Sequence, residues 1–335
     1  MTVSLMLFGL VIALIFGFTL TNGFLDGGGI VSTVIMTRVL EPLPALLLVA
    51  GCEVVGIFLL GRAVVETMGV KMILFPAGVS SIHILSMLLS AMAGVLLWNM
   101  VMWRFAFPSS SSHALLGGIL GATWVHFGSV AVAWPVVTRI LIGLGVVPLA
   151  ASLVSFFFAR QLYRLGQYLT PAVGGFLRTV NVLVLAGVAL VHGSNDGQKS
   201  MALVLLAWMA FGMVNAAHLP VWVALACGCT LGLGVLVGSR RTVRTVGQGF
   251  YRVQNLQGLC AESAAMFLVG ASSVAGYPMA TSHVMSSSVL GAGAAVRPRG
   301  IRWDLAGAIG ISWLVTIPAS AVIAGLLSYV VSKAF

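Results

Sequence analysis

Charge is what this sequence has least of. Only 7% of its 335 residues are charged, and just 7 are acidic against 17 basic. A soluble core has no use for a mean hydropathy of +1.10, and so few charges could not build a polar surface around it. The formal charge of +10 does not point to nucleic acid, because the arginines fall mainly in short loops, where they serve as orientation signals. Cysteine is scarce as well. Cys52, Cys227, Cys229 and Cys260 lie in apolar segments, none forms a C-x-x-C pair, and the Cys227–Cys229 spacing does not suit zinc, so core packing is their expected role. The opening MTVSLMLFGL lacks the basic start of a cleavable signal, so the first helix is expected to be its own membrane signal. No G-x-S-x-G elbow and no H-E-x-x-H is present, which argues against an intramembrane hydrolase.

Long apolar runs fill the space that charge leaves. Candidate spans include Met6–Leu20, Leu43–Leu60, Ile82–Val101, Val136–Phe158, Val221–Val237 and Ile309–Val331. Each approaches the roughly 20 residues that a bilayer-crossing helix needs. Short alternating strands, the mark of a membrane β-barrel, are not seen. Basic residues punctuate the runs: Arg160, Arg164 and Arg178 around a Gly/Pro-rich stretch, then Arg240, Arg241, Arg244 and Arg252, then Arg297, Arg299 and Arg302.

The chain also repeats itself. Residues 22–29 read NGFLDGGG and residues 192–199 read HGSNDGQK, which pairs Gly23 with Gly193, Asp26 with Asp196 and Gly27 with Gly197. Residues 108–113 read PSSSSH and residues 278–283 read PMATSH, which pairs Pro108 with Pro278, Ser111 with Thr281, Ser112 with Ser282 and His113 with His283. Both matches fall at an offset of 170 residues. With basic loops inside, each copy has an odd number of crossings, so the second runs upside down relative to the first. The expected fold is therefore an all-α polytopic membrane protein. It has two inverted-topology repeats with broken helices and re-entrant helical hairpins, and about ten to twelve transmembrane segments. The first repeat covers residues 1–159, a short basic cytoplasmic linker 160–178, and the second repeat 179–335. Both termini are expected outside. Residues 4–40 are too long for one straight crossing and are expected to break or re-enter.

Aspartate inside a membrane segment costs several kcal/mol, about 2.5–3.5 by insertion scales, and marks an ion or proton path. Asp26 and Asp196 each sit beside glycines that would let a helix unwind, so that freed carbonyls join the carboxylate around a cation. The blander reading is an aspartate satisfied by nearby amides. Pro108 and Pro278 would start half-helices, whose free amides and positive dipole ends suit an anion. The hydroxyls of Ser109, Ser110, Ser111, Ser112, Thr281 and Ser282 add donors with no carboxylate among them. Two such tips could grip a tetrahedral oxyanion, though plain serine capping would look the same. His113 and His283 are expected to support the hairpins. His83, His126 and His218 have no repeat partner and are read as structural or interfacial. Glu53 and Glu262 could complete a cation site or form a buried pair, while Glu41, Glu66 and Asp304 look interfacial.

These motifs resemble those of the inorganic phosphate transporter (Pit) family. HGSNDGQKSMALVLL resembles its second signature and NGFLDGGGIVSTVIMTRVLEP its first, while FAFPSSSSHALLGGILGA and GYPMATSHVMSSSVLGAG resemble its two serine-rich hairpins. The similarity covers nearly the whole chain and is greatest to the bacterial low-affinity, proton-coupled branch. It implies a phosphate symporter of the cell (inner) membrane that is not an enzyme, is often a homodimer, and is driven by protons or sodium. It implies phosphate at the hairpin serines and the coupling cation at Asp26, Asn22, Asp196 and Asn195. Some bacterial members carry a divalent metal with the phosphate, no covalent cofactor is expected, and a few relatives carry sulfate.

Two positions depart from the family pattern. Where the first signature has an asparagine, this chain has Gly29, and its partner at the same offset is Lys199. An ammonium beside Asp196 would take the electrostatic place of a bound sodium, so proton coupling through Asp26 or Asp196 is expected, with Lys199 as a fixed charge. Sodium coupling, a sulfate permease and, remotely, the hydrolase are the competing readings. A channel is disfavoured by coupling acids in opposed repeats.

Overall fold

The computed structural model describes residues 2–105, 110–166, 173–212, 219–249, 251 and 253–334. Among them the chain forms eleven α-helices and no strand: α1 Thr2–Met36, α2 Pro42–Gly56, α3 Ala63–Glu66, α4 Ser81–Arg104, α5 Ser111–Phe127, α6 Trp134–Gly166, α7 Gly174–Ala210, α8 Val221–Gly249, α9 Asn255–Val274, α10 Thr281–Val296 and α11 Trp303–Ser332. Six of these are long and apolar enough to cross a membrane, and α2, the product of the expected Leu43–Leu60 span, is a shorter apolar helix. Large apolar side chains such as Leu47, Leu149, Leu314 and Val330 stand exposed around the outside, as a lipid-facing surface requires. The expectations for Pro108, Ser109, His218 and Arg252 lie outside the described residues.

Helix order and packing pair up between the halves. Helix α5 starts at Ser111 and α10 at Thr281, and α6 and α11 each carry one internal proline, Pro148 and Pro318; both pairs are 170 residues apart. Helix α1 packs on α8 as α7 packs on α2; α5 packs on α11 as α10 packs on α6; α4 packs on α11 as α9 packs on α6.

Two local expectations need correction. The breaks expected near Asp26 and Asp196 do not occur: α1 runs 35 residues and α7 runs 37 without interruption. At 1.5 Å per residue they are about 50–55 Å long, well beyond the roughly 30 Å of a hydrocarbon core. The glycines that looked like unwinding points are packing points. Gly23 abuts the carbonyl of Leu231 and Gly193 the backbone of Glu53, while Gly27 faces Val235 and Gly197 faces Ile57. A Cβ at these positions would collide, so small residues here let helices from opposite halves approach closely, which is how membrane helices gain packing energy. The second correction concerns the hairpins. Pro278 precedes the first turn of α10 by three residues rather than occupying it.

Candidate functional site

The two long helices bring their polar segments together at the centre of the protein. Asn22, Asp26, His192, Asp196 and Lys199 are all at most 2% exposed. Side chains of both halves satisfy them. Asn22 Nδ2 donates to Asp196 Oδ2 at 2.9 Å. The Ser111 hydroxyl, at the first position of α5, contacts Asn22 Oδ1 and donates to Asp26 Oδ2 at 3.0 Å. Thr281, the first residue of α10, reaches Asp196 Oδ1 at 3.4 Å. Both hairpin helices therefore aim their N-termini at the aspartates, one hydroxyl to each. This is the favourable sense of the helix dipole towards a negative group.

Lys199 sits inside this cluster. Its ammonium donates to Asp196 Oδ1 at 2.8 Å, to Ser112 Oγ at 2.6 Å and to the Met279 carbonyl at 2.5 Å. Ser112 also donates to Met279 O at 3.1 Å. A carboxylate, a hydroxyl and a carbonyl form a ring of oxygens, the ligand types a hard monovalent cation would take, and an ammonium fills it. At the equivalent place on α1, Gly29 has no side chain, and a Cβ there would meet nothing within 4 Å.

His192 belongs to the cluster and was not among the predicted site residues. Its Nδ1 lies 2.7 Å from Glu53 Oε1 and its Nε2 lies 3.5 Å from Asp196 Oδ2. Glu53 is thereby tied to the aspartates through an imidazole, although α2 contributes no other polar group. The sequence held one signal: His192 stands 170 residues from Asn22, at the offset of the repeat. Atoms of Asp26, His192 and Asp196 all lie within 4.8 Å of one another, which makes this trio the one group of metal-ligating type among the described residues. Three acids face one lysine and one histidine here. Such an arrangement can bind a proton or a small cation, but it cannot shed one without leaving buried charge unbalanced.

Other predicted residues are placed differently. Asn195 turns towards the entry of α10, donating to Ser273 Oγ at 2.8 Å and Tyr277 O at 3.1 Å and accepting from the Met279 amide at 3.0 Å. It holds the 277–279 strand of chain that presents the Met279 carbonyl to Lys199. Glu262 is also apart from the aspartates: on α9, it takes a short hydrogen bond from Thr33 of α1, and its second oxygen has no partner. Ser110 caps α5, its hydroxyl accepting from the His113 amide at 3.2 Å. Of the predicted anion-binding hydroxyls, only that of Ser282 lacks a hydrogen-bond partner among the described residues. His113 and His283 meet with ring centroids 4.3 Å apart, and His283 stacks on Trp313 at 3.8 Å, so the two hairpin helices touch through their histidines. His83 and His126 face each other at 3.4 Å, away from this cluster.

Comparison with known proteins agrees with this architecture. The phosphate transporter family model matches residues 22–173 and 167–324. A "Probable low-affinity inorganic phosphate transporter" of Rhizobium meliloti is 32% identical over 96% of this chain and 95% of its own length. One of the same description from Bacillus subtilis is 30% identical over the full length of both. Among solved structures, one titled "The sodium-dependent phosphate transporter" superposes with a TM-score of 0.87 at 19% identity, covering 98% of this chain and 100% of that one. At that identity the likeness concerns the fold.

Proposed function

We propose that this chain, which belongs to the phosphate transporter family, is a multi-pass membrane symporter that imports inorganic phosphate with protons. It is not an enzyme. The observation that carries proton coupling is the seat of Lys199, whose ammonium occupies the oxygen ring of Asp196, Ser112 and Met279. A sodium ion could not share that ring with it. On this reading the mobile positive charge is a proton on the acids of the cluster, with Asp26 or Asp196 as its carrier and Glu53, through His192, as their neighbour.

Coupling follows from competition for donors. The hydroxyls of Ser111 and Thr281 are given to Asp26 and Asp196. A protonated aspartate is a weaker acceptor, so those hydroxyls and the α5 and α10 N-termini become available to an anion. The anion in turn improves proton binding by charge, and the two affinities rise together by the same factor. Phosphate would be held by Ser109, Ser110, Ser111, Ser112, Thr281 and Ser282, from both hairpins. The two halves are read as inverted repeats that alternate access around this site, on the strength of the 170-residue offset and the exchanged packing pairs. External termini, a homodimer in the cell membrane, and co-transport of a divalent metal with phosphate complete the proposal.

Phosphate uptake into proteoliposomes, with proton and sodium gradients imposed separately and excess sulfate added in parallel, tests it. Uptake driven by an inward proton gradient and indifferent to sodium and sulfate is the expected result. A sodium requirement would remove the role given to Lys199, and sulfate uptake without phosphate uptake would change the anion. The sodium reading has one specific support: around Asp26, Asn22 and Ser111 no ammonium intrudes, and Gly29 leaves open space beside them.

A further inference from the structure

A pocket of about 350 Å³ opens on the outside of the protein between α6 and α11. It is at the small end of ligand pockets, and it is separate from the aspartate cluster. Its walls are apolar, from Leu141 and Leu149 of α6 to Leu314 and Ile317 of α11. Leu141, Leu149 and Leu314 are exposed, so the mouth faces the surroundings that lipid would fill. The floor differs. His113, His283 and Ser287 line it, with Trp313 stacked on His283. His283 is 1% exposed and neither of its ring nitrogens has a hydrogen-bond partner. Bare glycines face the space from both sides, since a Cβ built on Gly145 or Gly310 would meet nothing within 4 Å. The lining stretches, 141–149 of α6 and 310–317 of α11, lie in the N-terminal half of each helix and nearly correspond at the 170-residue offset, so with the halves read as inverted repeats the pocket falls on the axis between them, at mid-depth in the membrane.

We infer that this pocket binds a single-chain lipid acid, with its protonated carboxyl at the floor and its alkyl chain between the leucines. An alkyl chain alone would leave the buried imidazole unsatisfied, at a cost of roughly 1–3 kcal/mol. The two nitrogens of a neutral imidazole point in divergent directions, so one carboxyl meets one of them, and a protonated carboxyl suits either tautomer because it can give its O–H to the lone pair or its carbonyl to the N–H. A quinone supplies acceptors only. A two-chain phospholipid keeps its polar groups at the membrane surface and brings only methyl ends to this depth. The uncharged acid can move into the bilayer interior head first. This site needs neither the phosphate reading nor the coupling scheme.

The test is quenching of Trp313 fluorescence, in the purified full-length protein, by a fatty acid brominated next to its carboxyl. Trp313→Phe identifies the signal. Gly145→Leu and Gly310→Leu fill the pocket from either wall without touching the aspartate cluster, and retained phosphate uptake shows that both variants fold. The expected result is saturable quenching in the parent, with the half-saturating concentration raised more than about tenfold in both leucine variants and weaker binding of the methyl ester, which lacks the O–H donor. Quenching that is linear in concentration and equal in all variants would mean contact from bulk lipid and would overturn the proposal. So would equal binding of acid and ester, or quenching that appears only when a second copy of the chain is dissociated from this face.

Discussion

The polar segments 22–29 and 192–199 occupy equivalent places in α1 and α7, yet they are filled differently. The first is sparse: Asn22 and Asp26, then glycines, with Ser111 as a shared partner. The second is crowded: His192, Asn195, Asp196, Gln198 and Lys199, engaging α2, α5, α10 and the chain that leads into α10. Even Gln198 is used, accepting the Val64 amide at 3.1 Å. Their paired glycines are nevertheless deployed alike: Gly23 and Gly27, like Gly193 and Gly197, each face a helix of the opposite half. The lesson is that the scaffold of the pair has stayed symmetric while the chemistry has not. One half leaves open space at Gly29, and the other fills the equivalent place with the Lys199 ammonium.

The largest effect should come from Asp196→Ala. It strands the Lys199 ammonium in a buried site, where breaking such a pair costs about 3–5 kcal/mol. Phosphate uptake should fall to background and the yield of folded protein should drop in thermal-shift assays. Lys199→Asn comes next. It restores an uncharged ligand to the oxygen ring, so proton-driven uptake should fall by about tenfold or more, the equivalent of 1.4 kcal/mol of lost coupling, while a sodium gradient begins to stimulate. If sodium never stimulates, the comparison of the two halves has the wrong cause. Asp26→Asn should be milder than Asp196→Asn by about tenfold in uptake rate, because no ammonium depends on Asp26. Equal defects would show that the halves are functionally alike despite their contents. The smallest difference is expected for the shared scaffold. Gly23→Ala and Gly193→Ala should each destabilise by roughly 1–3 kcal/mol through overpacking, by amounts that match closely. A large difference between their melting temperatures would break the symmetry at the level of packing.

Much of this was legible in the sequence because the relevant signals are local or periodic. Apolar run length set the helical membrane class, and two motifs at one offset set the pairing of Asp26 with Asp196 and of Ser111 with Thr281. His192 stands at the same offset from Asn22, but the two differ in residue type and the motif match did not single the histidine out. Tertiary structure decided what those residues do. A glycine beside a buried aspartate reads as a weak point in an isolated helix, but Gly23 and Gly193 face backbone from a partner helix, and α1 and α7 run through them without a break. Asn195 reads as a cation ligand from the sequence, and in the structure its amide engages Ser273, Tyr277 and Met279. Glu53 and Glu262 are both buried acids in apolar runs, yet His192 draws one into the site and Thr33 holds the other outside it. The physical reason is common to all three. Local sequence fixes which groups must be satisfied inside a membrane, because water is not there to do it. Which distant donor or acceptor satisfies each of them is set only when helices far apart in the chain pack together.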